Sequence, residues 1–172
     1  MTTMLNTAAL LNHLTLRPAR ASDEPFLARL YRLARPDLLL IDGEDELIRT
    51  VQAQQYQVLL QGAGNGYDNA MHFVVERAGG AIGAAMVDFG HSEVRLIYFA
   101  LLPETRGRGL GAEVIKGLQR AAWQVRAPLT TVVWHSNPGA RRLYLRMGFQ
   151  PVEQGAMADK LQWLPERDPA IG

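Results

Sequence analysis

Residues 103–111 read Pro-Glu-Thr-Arg-Gly-Arg-Gly-Leu-Gly, and this segment decides how the rest of the chain is interpreted. It joins an apolar stretch, predicted as a buried strand, to the most regular helix pattern in the sequence. The first turn of a helix has unpaired backbone N–H groups and a partial positive charge, so it attracts anions. Glycines let the backbone approach such an anion, and Arg106 and Arg108 add positive charge. The segment therefore predicts a turn that binds phosphate groups, most simply a diphosphate.

The glycine spacing separates this turn from other phosphate-binding loops. A Walker loop ends in Gly-Lys followed by Ser or Thr, and the segment contains no lysine. A dinucleotide fingerprint needs Gly-x-Gly-x-x-Gly, whereas Gly107, Gly109 and Gly111 alternate, so the third glycine falls one residue early. A glycine-rich turn without any ligand is the alternative that this pattern leaves open.

Hydrophobic periodicity on both sides of the turn predicts an α/β domain. The stretch before the turn is apolar on both faces, as at the centre of a sheet, and the helix after it keeps one apolar face. The element order is that of a mixed sheet with helices on its faces, and a tight hairpin turn is expected at 78–80. Predicted strands are 14–18, 71–77, 81–88, 94–102, 129–134, 149–152 and 157–164. The first predicted helix begins at Ser22 or Asp23, and the other three cover 44–57, 109–126 and 137–147. A flexible loop is predicted at 61–69.

The overall composition is that of an ordinary globular domain. With 172 residues, 48% of them hydrophobic, the chain suits one domain, predicted at 14–164 between a leader at 1–13 and a tail at 165–172. The net charge of +1 gives no field that favours nucleic acid or a membrane. The sequence has no cysteine, which excludes disulfides and thiolate nucleophiles. No apolar run approaches membrane length and the histidines lack metal-ligand spacing, so we expect a cytoplasmic protein without a metal.

Two motifs resemble the GNAT superfamily of N-acyltransferases. Arg106-x-x-Gly109-x-Gly111, after an apolar strand, looks like the coenzyme A signature of that superfamily. Residues 137–149 resemble its second motif, in which an Asn opens a helix and a Tyr follows seven residues later. The opening strand, the helix after it and the order of the elements match as well, so the resemblance covers about residues 14–164.

The resemblance implies a splayed, mostly antiparallel sheet, with a V-shaped gap between two central parallel strands in which the pantetheine of acetyl-CoA or another acyl-CoA would lie. Asn137 would contact the pantetheine arm and Tyr144 would face the sulfur. Their spacing also places these two residues within about 20° of each other on one helix face. The alternative for Asn137 is a helix cap without a ligand contact, and the alternative for Tyr144 is a packed core aromatic. Backbone groups of Phe99, Ala100 and Leu101 would bond to pantetheine and the acyl carbonyl. The diphosphate would be held by Arg106, Gly107, Arg108, Gly109, Leu110 and Gly111.

The predicted reaction is direct attack of a primary amine, on a small molecule or a peptide, on the thioester. Tyr144 is the candidate general acid for the departing thiolate. No acid lies within 94–99 or 129–134, so the general base is open. Tyr98 is a candidate for the base or for lining the acceptor pocket, and Glu93 is a second candidate base. Three further candidates could act through water, namely His91, Asp88 and His135, with a solvated loop residue as the alternative for each.

The missing strand carboxylate leaves a second interpretation open, a non-catalytic acyl-CoA-binding module of the same fold. A transferase that uses a nucleotide or an amino-acyl carrier is a third. We expect no nucleic-acid or membrane partner and a monomer or homodimer, and the acceptor amine is not defined by the sequence.

Overall fold

The computed structural model describes residues 14–34, 70–166 and 169, which contain seven strands and three α-helices. The helices are α1 (Glu24–Ala34), α2 (Leu110–Gln124) and α3 (Pro138–Arg146), and short 3-10 turns lie at Ala21–Asp23 and Pro103–Thr105. The strands are β1 (Leu14–Pro18), β2 (Ala70–Arg77), β3 (Gly80–Phe89), β4 (Val94–Leu101), β5 (Leu129–Trp134), β6 (Gln150–Gln154) and β7 (Ala158–Trp163).

The strands form one sheet in the order β1-β2-β3-β4-β5-β7-β6. Every neighbouring pair is antiparallel except β4 and β5, which run parallel at the centre. A parallel pair needs a crossover, and α2 supplies it on one face of the sheet. The predicted mixed sheet with a central parallel pair is confirmed.

The hairpin between β2 and β3 turns on two residues with positive φ, Ala78 at 52° and Gly79 at 83°. Two consecutive left-handed residues match the right-handed twist of a hairpin, and glycine adopts this conformation without steric cost. The predicted turn at 78–80 is therefore confirmed.

The core has one layer on each face of the sheet. Phe73 and Val75 of β2 pack with the α2 side chains, whereas Val74 between them packs with Leu27 and Leu30 of α1. Successive side chains of a strand point to opposite faces, so α1 covers one face and α2 the other. This arrangement leaves the central parallel pair between the two layers.

The start of α1 differs from the sequence prediction of Ser22 or Asp23 as its N-cap, because both lie in the 3-10 turn before the helix. The Asp23 carboxylate turns back, accepts from the Arg20 backbone N–H at 2.7 Å and binds the Arg17 guanidinium at 2.7 and 2.8 Å. The Arg17 hydrogen bond is the main reason why the pKa of Asp23 lies well below its usual range. Asp23 thus ties the helix entry to β1.

Several predictions concern residues outside the described ranges. These are the leader at 1–13, the helix at 44–57, the loop at 61–69 and much of the tail at 165–172. Within the described ranges, no helix combines the length and the apolar character needed to cross a membrane.

Candidate active site

A gap opens between the central parallel strands. β4 pairs with β5 only at Val94–Leu129, Arg95–Thr130 and Leu96–Thr131. Beyond this point β4 stays with β3 as far as Leu101, and β5 stays with β7 as far as Trp134. The two strands therefore diverge, and we call the space between residues 97–101 and 132–134 the gap.

An extra residue in β4 sets which side chains face each side of the gap. Met86 and Val87 are neighbours in β3, but their partners are Tyr98 and Leu96, so Ile97 forms a bulge. Leu96 packs in the core on the α2 side. After the bulge Phe99 takes the α2 side and Tyr98 packs against the α1 layer.

The bulge also decides which backbone groups point into the gap. The Leu102 N–H donates to the Ile82 carbonyl oxygen of β3 at 2.8 Å. By the alternation of an antiparallel strand, Ala100 also directs its N–H and C=O to β3, while Phe99 and Leu101 direct theirs into the gap. Of the three residues expected to bond to pantetheine, the structure thus brings two to the gap with their backbone groups.

The glycine turn, residues 106–111, lies where β4 ends and α2 begins. Gly107 and Gly109 have φ of 77° and 76°, a region that favours glycine. Gly109 is the N-cap of α2 and has no side chain to bond the first helical amides, which therefore remain available to an anion. The Arg106 guanidinium donates to the Leu101 carbonyl oxygen at 3.2 Å, which ties the turn to β4. The Arg108 side chain is exposed.

Gly111 has a packing role beside the gap. A Cβ at this position would lie 3.3 Å from Leu143 Cδ2 and 3.9 Å from side-chain atoms of Phe99 and Leu101. A larger residue would push α2 away from α3 and β4. The alternating glycines thus serve two purposes, turn geometry at 107 and 109 and close approach at 111.

The helix α3 carries the two predicted residues of the second motif. Asn137 caps the helix, since its Oδ1 accepts from the Ala140 N–H at 3.2 Å, and its side chain is exposed. Tyr144 lies two turns later, is 6% exposed and packs against Phe149 with ring centres 5.3 Å apart. The predicted helix opening is confirmed, while the contacts of both residues with pantetheine remain predictions.

Tyr144 lies in the core layer on the α2 side of the sheet. Burial raises the pKa of Tyr144 to about 12, and a hydrogen bond with Thr131 partly offsets this effect. The Thr131 hydroxyl in turn donates to the Leu96 carbonyl oxygen at 3.1 Å, across the last rung of the parallel pair. At neutral pH Tyr144 therefore keeps its proton and can donate it.

Tyr98 lies on the other side of the sheet from Tyr144. Its ring is 5.9 Å from that of Tyr31 in α1 and tilted by 53° to it. Tyr98 is only partly buried and stands at the bulge beside the gap. This position fits a side chain that lines an acceptor pocket.

Glu93 is not brought to the open part of the gap. It precedes β4, about 15 Å along the strand from Tyr98. Its carboxylate pairs with Arg95 and lies 3.8 Å from Lys160 Nζ. Burial works against ionisation of Glu93, but Arg95 and Lys160 outweigh it and hold its pKa below the usual value. Of the other base candidates, His91 is exposed in the β3–β4 turn and Asp88 is buried near the end of β3.

With this geometry in place, a comparison with protein-family models matches residues 68–151 to the acetyltransferase (GNAT) domain. Residues 68–151 belong to a GNAT acetyltransferase domain. A search of curated protein sequences found no match.

Three solved acetyltransferase structures illustrate the likeness of fold. An acetyltransferase from Thermus thermophilus is 22% identical, with a TM-score of 0.66 over 88% of this chain and 96% of that one. PaiA N-acetyltransferase from Thermoplasma acidophilum, in complex with coenzyme A, is 12% identical, with a TM-score of 0.68 over 88% and 98%. Spermidine N-acetyltransferase from Vibrio cholerae, in complex with CoA and spermine, is 18% identical, with a TM-score of 0.62 over 91% and 98%. At these identities the likeness is one of fold.

Two features of this GNAT domain lie beside the gap but carry no sequence signal. One is the Thr131 hydroxyl described above. The other is Asp159 of β7, which is buried, binds His135 Nε2 at 2.9 Å and lies 3.3 Å from the Arg141 guanidinium. The hydrogen bond from His135 is the first cause of the lowered pKa of Asp159. This cluster fastens the start of α3 to β5 and β7.

Proposed function

We propose that this GNAT domain is an N-acyltransferase that moves an acyl group, in the first place acetyl, from acyl-CoA to a primary amine of a small molecule or peptide. The observation that carries the proposal is the gap between β4 and β5. The glycine turn follows β4 at its open end, and Tyr144 of α3 packs in the core layer on the α2 side of the same sheet. These two features support an anion cradle and a proton donor for one bound acyl-CoA.

The donor would bind as an extended chain along β4. Residues 97–101 span about 15 Å, and the backbone groups of Phe99 and Leu101 offer the amides of pantetheine the contacts of a neighbouring strand. The diphosphate would lie on the first amides of α2 and on the turn before it. The coenzyme A in the Thermoplasma acidophilum and Vibrio cholerae structures supports a donor of this class.

The chemistry follows from Tyr144 and the backbone groups in the gap. A neutral amine attacks the carbonyl carbon, so that a C–N bond forms and the C–S bond breaks. A backbone N–H directed into the gap, that of Leu101 or Phe99, stabilises the developing oxyanion. The thiolate takes the proton of Tyr144, which regains one from water, and water accepts the proton that the amine gives up. Without a cysteine in the chain, no thiol-linked acyl-enzyme forms.

The acceptor would approach from the α1 side. Pantetheine enters from the side of α2 and α3, where the glycine turn lies, so the opposite side of the gap remains for the amine. Tyr98 and Tyr31 line this side, and Trp134 is exposed at the end of β5. Aromatic side chains there suit an amine with an apolar body. The spermine in the Vibrio cholerae structure supports a small-molecule amine as one acceptor class to test.

The experiment is an amine panel with acetyl-CoA and a colorimetric reading of released thiol. The panel includes a polyamine, an arylalkylamine, an amino acid and a peptide with a free N-terminus. Because the protein has no cysteine, it contributes no thiol to the signal. We expect thiol release that requires both enzyme and amine, and N-acetylated product by mass spectrometry.

A second candidate is the non-catalytic acyl-CoA-binding module, because neither β4 nor β5 contains a carboxylate that could act as a base. This candidate predicts acetyl-CoA binding by calorimetry without thiol release for any amine. Absence of binding as well would contradict both candidates.

A further inference from the structure

A buried carboxylate of β7 lies against residues 135–137, which join β5 to α3 and which we call the junction. The Asp159 side chain is only 7% exposed. Its Oδ1 accepts a hydrogen bond from His135 Nε2 at 2.9 Å, and its Oδ2 lies 3.3 Å from the Arg141 guanidinium. His135 comes two residues before Asn137, and Arg141 comes four residues after it. One carboxylate therefore binds the chain on both sides of the residue that caps α3.

Backbone bonds complete the fixation of the junction and leave one group of Asn137 available. The His135 N–H donates to the Met157 carbonyl oxygen at 2.8 Å, and the Asn137 N–H donates to the Trp134 carbonyl oxygen at 2.9 Å. The Asn137 Oδ1 accepts from the Ala140 N–H as the helix cap. Its Nδ2 group carries two donor hydrogens and has no partner among the residues that the structure describes. The junction thus presents an exposed amide donor in a fixed position.

The junction lies at the open end of the gap. β4 and β5 run parallel, so the glycine turn that follows β4 and the junction that follows β5 leave the sheet at the same edge. In the proposed function the diphosphate would lie on the glycine turn, and the pantetheine arm would extend from there along β4. The exposed Asn137 amide therefore stands on the β5 side of the path that the arm would take into the gap.

We propose that Asp159 is a positioning residue for the acyl donor, because it holds the junction so that Asn137 Nδ2 donates to an amide carbonyl of pantetheine. This inference rests on the donor site of the proposed function, since it needs an acyl-CoA in the gap. The ligand group is a carbonyl because Oδ1 is already engaged in the cap and only N–H donors remain. A bond made far from the sulfur is equal in the ground state and the transition state, so it contributes to binding and leaves the chemical step unchanged.

The charges around Asp159 agree with a clamp. A buried carboxylate is costly unless it is paired, and Asp159 has a partner for each oxygen. The hydrogen bond from His135 is the main reason why the pKa of Asp159 lies below its usual value, so the carboxylate stays ionised at neutral pH. The side chains of His135 and Arg141 are 45% and 30% exposed, so both can turn to water once the carboxylate is removed. Loss of Asp159 would therefore release the junction on both sides of Asn137.

The test compares Asp159→Ala, which removes both contacts, with Asp159→Asn, which keeps the shape and one acceptor oxygen. We expect Asp159→Ala to weaken calorimetric coenzyme A binding about three- to tenfold, the range for one lost hydrogen bond, and Asp159→Asn to weaken it less. Removal of a negative charge by itself favours an anionic ligand, so a loss of affinity reports on the clamp. KM for acetyl-CoA should rise by a similar factor, while kcat at saturating donor changes by less than about twofold.

Asp23→Ala is the matched control for general damage. Asp23 is also buried and also binds an arginine, Arg17, but it does so at the entry to α1. Asp23→Ala should lose thermal stability and keep its affinity for coenzyme A. An affinity loss in Asp23→Ala equal to that in Asp159→Ala would overturn the inference.

A second background separates positioning of Asn137 from other effects. Asn137→Ser keeps a capping oxygen but lacks the amide, so Asp159→Ala should weaken coenzyme A binding there by no more than about twofold further. Equal losses in both backgrounds, or wild-type affinity in both Asp159 variants, would overturn the inference while the proposed function stands. A wild-type protein that binds no coenzyme A would overturn both, and binding without thiol release for any amine would overturn the proposed function alone.

Discussion

The two sides of the gap differ in the groups that line them, backbone amides on one side and side chains on the other. On the side of α2 and α3, the groups that would bind the donor are backbone amides of the glycine turn and one tyrosine, Tyr144. On the side of α1, side chains from separate elements line the surface, among them Tyr31 and Tyr98. Backbone amides bind the pantetheine and the diphosphate, which all acyl-CoA molecules have in common. A surface made of side chains can bind a different ligand after a few substitutions. The comparison therefore predicts a constant donor and a chain-specific acceptor.

The largest effect is expected for the tyrosine on the donor side. Tyr144→Phe should lower kcat about 100-fold, because the thiolate would leave without a proton donor. The affinity for acetyl-CoA, measured by calorimetry, should stay near the wild-type value. An unchanged kcat would remove Tyr144 from the mechanism and leave the donor side with backbone groups alone.

A smaller effect is expected in the glycine turn. Gly109→Val should weaken coenzyme A binding about tenfold or more, because Val disfavours a φ of 76° and the first amides of α2 would shift. Gly79→Val is the matched control, since Gly79 has φ of 83° and equally open surroundings in a hairpin turn. Both variants should lose similar thermal stability, but only Gly109→Val should lose affinity. Equal affinity in the two would contradict the cradle.

On the acceptor side, Tyr98→Phe should raise KM for the preferred amine about three- to tenfold, the usual range for one lost hydrogen bond. Calorimetric affinity for coenzyme A should not change, since Tyr98 faces the α1 side. Weakened coenzyme A binding in Tyr98→Phe would show that the two sides are not separate.

The smallest effect on catalysis is expected for Glu93→Gln, because this carboxylate is paired with Arg95 away from the open gap. Burial opposes its ionisation, but Arg95 and Lys160 outweigh burial and lower its pKa. The ionised carboxylate therefore stabilises the fold above about pH 4, and this contribution is lost as pH falls through the lowered pKa. Glu93→Gln should reduce the free energy of unfolding at pH 7 by at most about 1 kcal/mol, and less near pH 3. A large loss of kcat and a shifted acidic limb would instead identify Glu93 as the general base.

Local patterns predicted most of the described fold. The hairpin at 78–80, the helix after the glycine turn and the helix opened by Asn137 each depend on residues close in sequence, and so does the resemblance to the GNAT superfamily. The missed features depend on pairing between distant segments. Ile97 is a bulge only because of its register with β3, and Thr131 meets Leu96 only through the parallel pair. Asp23 was missed for a different, local reason. It ends a 3-10 turn, where its carboxylate binds Arg17 of β1 and the Arg20 N–H instead of capping α1.

The most direct test of the cradle is calorimetry of the wild-type protein with coenzyme A and with pantetheine, which has the same arm and thiol but no phosphate. If the amides at the start of α2 hold the diphosphate, coenzyme A should bind at least about 100-fold more tightly, as expected for two or more hydrogen bonds to a charged group. Equal affinity for the two ligands, or no binding of coenzyme A, would contradict the account.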